Sequence, residues 1–187
     1  DFCLSRGLGD VYKRQCWSGD QLLLVLGGDS DSTAAWLDAA EFEQLAAIAL
    51  AGREMQICRQ AIERYGDGGD YLPQFIYEDW AVRRRDQLRD RLVAVLLHGA
   101  TLLQEEGESD EAERYLERIL TIDSTHELAA CALMTLLRVQ GRSADGLRIY
   151  RKLEAALEDL GVHPEPESRC IRDQLEDALQ IRPATEV

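Results

Sequence analysis

The chain is short of positive charge: 21 lysines and arginines stand against 35 aspartates and glutamates, a formal net charge of −14 over 187 residues. Phosphate would repel such a surface unless its few bases were gathered on one face, so nucleic-acid binding through bulk charge is excluded as a first reading. Long apolar runs are missing too. The run at residues 22–26 is only five long, far below the roughly 20 that a membrane helix requires. Histidine is scarce, and His98, His126 and His163 are scattered. No C-x-x-C pair exists, and His126 and Cys131 are five apart, a spacing that does not share one helix face, so no zinc site is expected. Cysteine is odd in number and widely spaced (Cys3, Cys16, Cys58, Cys131, Cys170). That excludes a disulfide framework and points to a reducing, cytoplasmic setting. What the sequence does have is 45% hydrophobic residues, enough for a real core in one domain, or one domain and part of another.

Residues 1–15 lack the charged start, apolar middle and cleavage site of a secretory signal. Asp10-Val11-Tyr12-Lys13-Arg14-Gln15 resembles the in-frame translation of a transposon-end sequencing adapter. Residues 1–15 are therefore set aside from fold reasoning as an expected adapter-derived stretch. The run at 21–26, flanked by Gly19-Asp20 and Gly27-Gly28-Asp29, reads as a strand entering a turn.

Beyond Asp38 the pattern is helical. Asp38 and Glu41 have the D-x-x-E spacing of a capping box, and Phe42, Leu45, Ala46 and Ala49 follow at helical spacing until Gly52. A second helix is predicted over about 53–65, broken by Gly66, Gly68 and Gly69. Further on the chain repeats itself. Gly107 and Gly141 are 34 apart, as are Leu103 and Leu137, Ala112 and Gly146, Leu116 and Tyr150, and Ile119 and Leu153, and this is the tetratricopeptide spacing. Glycine would close the turn between antiparallel helices, while the small Ala112 or Gly146 lets the second helix of a pair approach the first. Two repeats are predicted, at about 88–122 and 127–160, with 38–65 a third before an insertion. Ser124 and Glu127 offer another capping box. Near the end, Leu153, Leu157 and Leu160 face inward, Gly161 stops the helix, and Pro164 and Pro166 block its continuation. A last helix over about 167–181, with Ile171, Leu175 and Leu179 on one face, would cap the array. The predicted fold is all-α: a tetratricopeptide-like helical-repeat array of about three helix pairs plus a capping helix, after a short N-terminal β-hairpin remnant.

Candidates for chemistry are few. The loop Gly27–Thr33 resembles the pyrophosphate-gripping turn of ATP pyrophosphatases, in which backbone amides cradle phosphate. Leu26 stands where that motif begins with Ser, one residue too many separates Gly28 from Ser32, and no parallel strands follow; a nucleotide-binding enzyme is thus a remote alternative. Carboxylate pairs such as Glu105-Glu106 and Asp110-Glu111 are expected at helix starts and turns, where the helix dipole favours acids. The basic run Arg83-Arg84-Arg85, with Arg89 and Arg91, is interleaved with Glu78, Asp79, Asp86 and Asp90, the pattern of a solvated, ion-paired face. The aromatic stretch ending in Trp80 is read first as core and second as a partner-binding hot spot.

Several segments together resemble the bacterial transcriptional activator domain, the tetratricopeptide-like effector region of antibiotic-regulatory-type activators. They are Trp36-Leu37-Asp38-Ala39-Ala40-Glu41-Phe42-Glu43, Gly69-Asp70-Tyr71-Leu72-Pro73, and Tyr77-Glu78-Asp79-Trp80-Ala81. Arg84-Arg85-Asp86-Gln87-Leu88-Arg89, Ala132-Leu133-Met134 and the exit from Leu157 through Gly161, Pro164 and Glu167 continue the match. Ser124 departs from the family's usual Pro, and Gly146 from its usual Ala. The resemblance implies an effector region at 36–182, a tail at 183–187, and an upstream winged-helix DNA-binding domain of which 16–35 would be the remnant. It further implies protein partners, whether self-association, RNA polymerase or a further regulatory domain, with DNA reached only through that upstream domain. No catalytic residue, metal or cofactor is expected. A generic tetratricopeptide peptide-binding scaffold is the alternative.

Overall fold

The structure, a computed structural model, describes residues 15–18, 21–24, 38–66 and 79–180. Gln15–Ser18 (β1) pairs antiparallel with Gln21–Leu24 (β2), Gln15 lying opposite Leu24. The loop Gly27–Thr33, the rest of the predicted strand and most of the aromatic stretch lie outside the described residues.

Seven helices follow among the described residues: α1 (Asp38–Ala51), α2 (Met55–Tyr65), α3 (Asp79–Glu106), α4 (Ser109–Ile122), α5 (Glu127–Val139), α6 (Ser143–Glu158) and α7 (Pro166–Gln180). The first six form three successive pairs, and each helix also packs on the next in sequence. This is the predicted all-α repeat array. Its periodic positions are the core: Leu103 and Leu137, Leu116 and Tyr150, and Ile119 and Leu153 are all buried.

The repeat extends to backbone geometry. Gly107, Gly141 and Gly161 have φ of 85°, 74° and 70°, the left-handed region that side chains with a Cβ avoid. At each, the following residue donates its N–H across the turn: Glu108 to Leu103 O (2.9 Å), Arg142 to Leu137 O (2.8 Å) and Val162 to Leu157 O (3.0 Å). These are Schellman closures, which satisfy helix-end carbonyls and reverse the chain. The α4–α5 connection has no glycine and uses side chains. Asp123 Oδ1 accepts from Thr125 N (2.9 Å) and Thr125 Oγ1 (2.7 Å), and His126 Nδ1 accepts from Ala129 N (3.1 Å) as the N-cap of α5. The predicted Ser124/Glu127 capping box is therefore corrected. The helix starts two residues later than that box requires, and Glu127 turns outward to another helix.

One cluster of buried side chains runs from Phe42 on α1 to Leu137 on α5. Two smaller clusters attach the end of the array: Cys131, Met134, Leu147, Tyr150 and Leu175, and Ala130, Leu153 and Leu157. Helix α7 begins with Pro166 at its first position, where the missing N–H costs nothing. It buries Leu175 and Ser168, with Ile171 half-buried.

Three packing expectations change. Leu160 is 66% exposed because α6 ends at Glu158 and Leu160 falls in the turn, not on the helix face. Leu179 is 40% exposed in the last turn of α7. Gly146, expected to admit the paired helix, instead admits α7: a Cβ there would lie 2.9 Å from Leu175 Cδ2 and 3.0 Å from Cδ1.

Candidate interaction faces

The first helices of the pairs, with α7, form one layer. Within it α1 lies closely along α3, and α5 along α7, whereas α3 and α5 have no such close backbone approach. Each close contact carries a polar clamp. On the α1–α3 side, Glu43 accepts both guanidinium N–H groups of Arg84 (2.9 and 2.5 Å), with Arg91 Nε 3.7 Å away. The Arg84 hydrogen bonds hold the Glu43 carboxyl below the usual carboxylate range, against the opposing effect of burial. Arg85 is buried beside them and is itself engaged. Within the basic run, Arg84 and Arg91 thus reach across to Glu43 on α1.

On the α5–α7 side, Glu127 Oε2 accepts from Glu165 N (2.8 Å) and from Ser168 Oγ (2.5 Å). Glu127 therefore caps α7 from another helix, satisfying an N–H at an end where helices leave such groups free. Ser168 Oγ also lies 3.3 Å from Cys131 Sγ. Burial pushes the Cys131 thiol above its usual range, as it does Cys58. Thiols in this state are poor nucleophiles.

Contacts 52 residues apart join the first helix pair to the second. Arg53 pairs with Glu105, Arg59 with Glu111 (3.0 and 2.6 Å), and Arg118 donates to Gly66 O (2.6 Å). Tyr115 donates to Glu111 (3.0 Å), and burial first, then this bond, pushes its hydroxyl up to about 12. So the carboxylate pairs at 105–106 and 110–111 each supply one partner to this ladder. The signal available in the sequence was opposite charge recurring at one offset, which apolar periodicity does not reveal.

Hollows interrupt the surface among the described residues. One of about 310 Å³ lies between α4 and α6, lined by Glu117, Leu120, Thr121, Ser124, Ile149, Lys152 and Leu153. Another, about 520 Å³, opens between the α3 segment 86–97 and the α4–α5 turn. Asp86, Asp90 and Asp123 stand on its rim, and Val93, Ala94, Leu97 and Ile122 form its half-buried apolar floor. Among the described residues no group of His, Cys, Asp and Glu has a metal-holding arrangement, and no helix there is long and apolar enough to cross a membrane.

The family-motif positions divide between frame and turn. Phe42 is buried edge-on against Tyr65, with ring centroids 5.1 Å apart. Leu88, Ala112, Leu116, Ile119, Met134, Tyr150, Leu153 and Pro164 are buried; Gly107, Gly141 and Gly161 make the turns. Asp38 and Trp80 lie in α1 and α3, their side chains outside the described residues, as are Gly69, Asp70, Leu72 and Pro73 altogether. The structure thus brings the motif positions together as scaffold, not around one reacting centre. Residues 37–176 match the model of the bacterial transcriptional activator domain. Among curated proteins, none matches the chain.

Proposed function

Because the chain belongs to the bacterial transcriptional activator domain family, we propose that residues 36–182 form the protein-interaction effector region of a cytoplasmic bacterial transcriptional regulator. The single observation that carries this reading is the family match falling on a repeat array whose matched positions are its core and turns, with outward faces left for partners. A stacked array offers an extended surface, and its nearest-neighbour packing holds that surface in shape. Regulation in this reading comes from contact with RNA polymerase, a second copy or a further regulatory domain. DNA contact belongs to a winged-helix region preceding residue 36, consistent with a net charge of −14 on the present chain.

The test is artificial recruitment. The chain is fused to an unrelated DNA-binding domain, and transcription is measured from a bacterial promoter carrying that domain's site. Activation severalfold above the DNA-binding domain alone is expected. An inert fusion that is folded and promoter-bound would overturn the reading. It would leave the peptide-binding scaffold, which the hollow beside α3 favours, as the better account.

A further inference from the structure

We infer that the hollow between α3 and the α4–α5 turn is a docking groove for a basic, amphipathic segment of a protein partner. This rests on the reading of the array as a protein-interaction region and names the chemistry of one partner.

Three observations converge on it. First, the surface is hollowed at this place: a space of about 520 Å³ lies between residues 86–97 of α3 and the α4–α5 turn. That volume takes a few side chains, as one turn of an amphipathic segment would present, and not a folded domain. Second, the floor is apolar. Val93, Ala94, Leu97 and Ile122 are half-buried, with Val93, Leu97 and Ile122 packed from below on the main core, so that part of each remains to be covered. Third, the rim is anionic. Asp86 and Asp90 are exposed one helical turn apart on α3, and Asp123 faces them from the turn. Arg89, the base among them, is already engaged within the fold.

Two further details fix the turn side of the groove. Asp123 is held by its bonds to Thr125, so its carboxylate is preset in direction. His126 accepts the Ala129 N–H at Nδ1, which fixes the ring as the helix cap, and it lines the groove beside Asp123. Lysine or arginine reaching to the rim, with apolar side chains toward the floor, matches this lining. An acidic segment or a nucleic-acid strand meets like charge. The α4–α6 hollow, carrying Glu117 and Lys152 together, has no such sign preference.

The test uses a fluorescein-labelled helical peptide of about 14 residues built from leucine and lysine, and its leucine–glutamate counterpart, titrated against this chain at about 0.15 M salt. The lysine peptide should bind and the glutamate peptide should not. Asp86→Asn with Asp90→Asn should weaken binding about tenfold or more, and Ala94→Trp, which fills the floor, should do the same. Glu105→Gln with Glu106→Gln removes the same charge elsewhere and should leave affinity within about twofold. On the unaltered chain, peptide-induced NMR shifts should fall on residues 86–97 and 122–126, which keeps the test decisive if Ala94→Trp does not fold. Equal loss in the control pair, or shifts spread over the acidic surface, overturns the groove. The two readings separate in the recruitment assay. A fusion that activates while the peptide maps elsewhere sinks the groove alone, and a peptide seated in the groove beside an inert fusion sinks the effector reading alone.

Discussion

Leu175 fills the space that a side chain at Gly146 would occupy, with its two methyl carbons 2.9 and 3.0 Å from the position of the absent Cβ. Glycine inside a helix costs about 1 kcal/mol relative to alanine, and here the seat for α7 explains why that cost is carried. Gly146→Ala should therefore fail to stabilise: overpacking of about 1–3 kcal/mol outweighs the propensity gain, for a net loss of about 1 kcal/mol. In a Leu175→Ala background the sign should reverse, with Gly146→Ala adding about 1 kcal/mol. Urea unfolding of the four proteins in the cycle measures both; a gain from Gly146→Ala in the unaltered chain would contradict the seat.

Gly107 and Gly141 have open space where a Cβ would go, so their cost on substitution is backbone alone. Gly107→Ala and Gly141→Ala should each destabilise by about 1–2 kcal/mol, and by similar amounts because the two turns share one geometry. Thermal melts of the two variants check this, and a neutral result at either would show that its turn relaxes out of the left-handed region.

Glu127 is the second clamp. Glu127→Ala removes the acceptor for Glu165 N and Ser168 Oγ together, at a cost of about 1–3 kcal/mol for the groups left unpaired. The loss should be local: faster amide exchange through α7, with α1–α4 unchanged. Uniformly faster exchange would show instead that α7 and the rest unfold as one unit.

The Glu43–Arg84 pair gives a pH dependence. The folded carboxyl titrates below its unfolded value, so its contribution is present above the unfolded value of about 4.3 and is lost as pH falls through the lower folded one. Stability measured across that acid window should fall less in Glu43→Gln than in the unaltered chain. Identical slopes would show that the pair contributes nothing. Near neutrality, Arg84→Ala should cost about 1 kcal/mol, as expected for a partly exposed pair.

His126 supplies the cap of α5, and His126→Ala should cost about 1 kcal/mol while His126→Asn, which keeps an acceptor, should cost less. Circular dichroism melts distinguish them, and equal losses would show that packing, not capping, is what the ring provides.

Helix pairing, the three glycine turns and the core stripe were legible because they rest on periodicity, which any stacked array must obey. Leu103, Leu116 and Ile119 are buried as their spacing required. What escaped was set between elements. Glu127 looked like a local cap because its four-residue motif was complete in sequence, but His126 took the capping position and released it. Leu160 matched the apolar stripe and missed burial by falling two residues past the end of α6. The 52-residue ladder was hidden because the segment between α2 and α3 shifts the register away from 34. The hollow between α3 and the α4–α5 turn had no sequence signal at all, since a gap is a relation between two elements and belongs to neither.

The succession of each helix onto its immediate neighbour has a kinetic meaning. Every pair is closed by a short turn, and glycine presets the turns of the second and third pairs and the α6–α7 turn, so within a pair the chain never has to bring together distant ends before it gains contacts. Folding of such local topologies is fast, and it can begin at any helix pair and spread along the array. The 28-residue α3, touching α1, α2 and α4 alike, is where that spreading must pass. Substitutions at its buried Leu92 or Leu96 should slow refolding more than equally costly ones in α7.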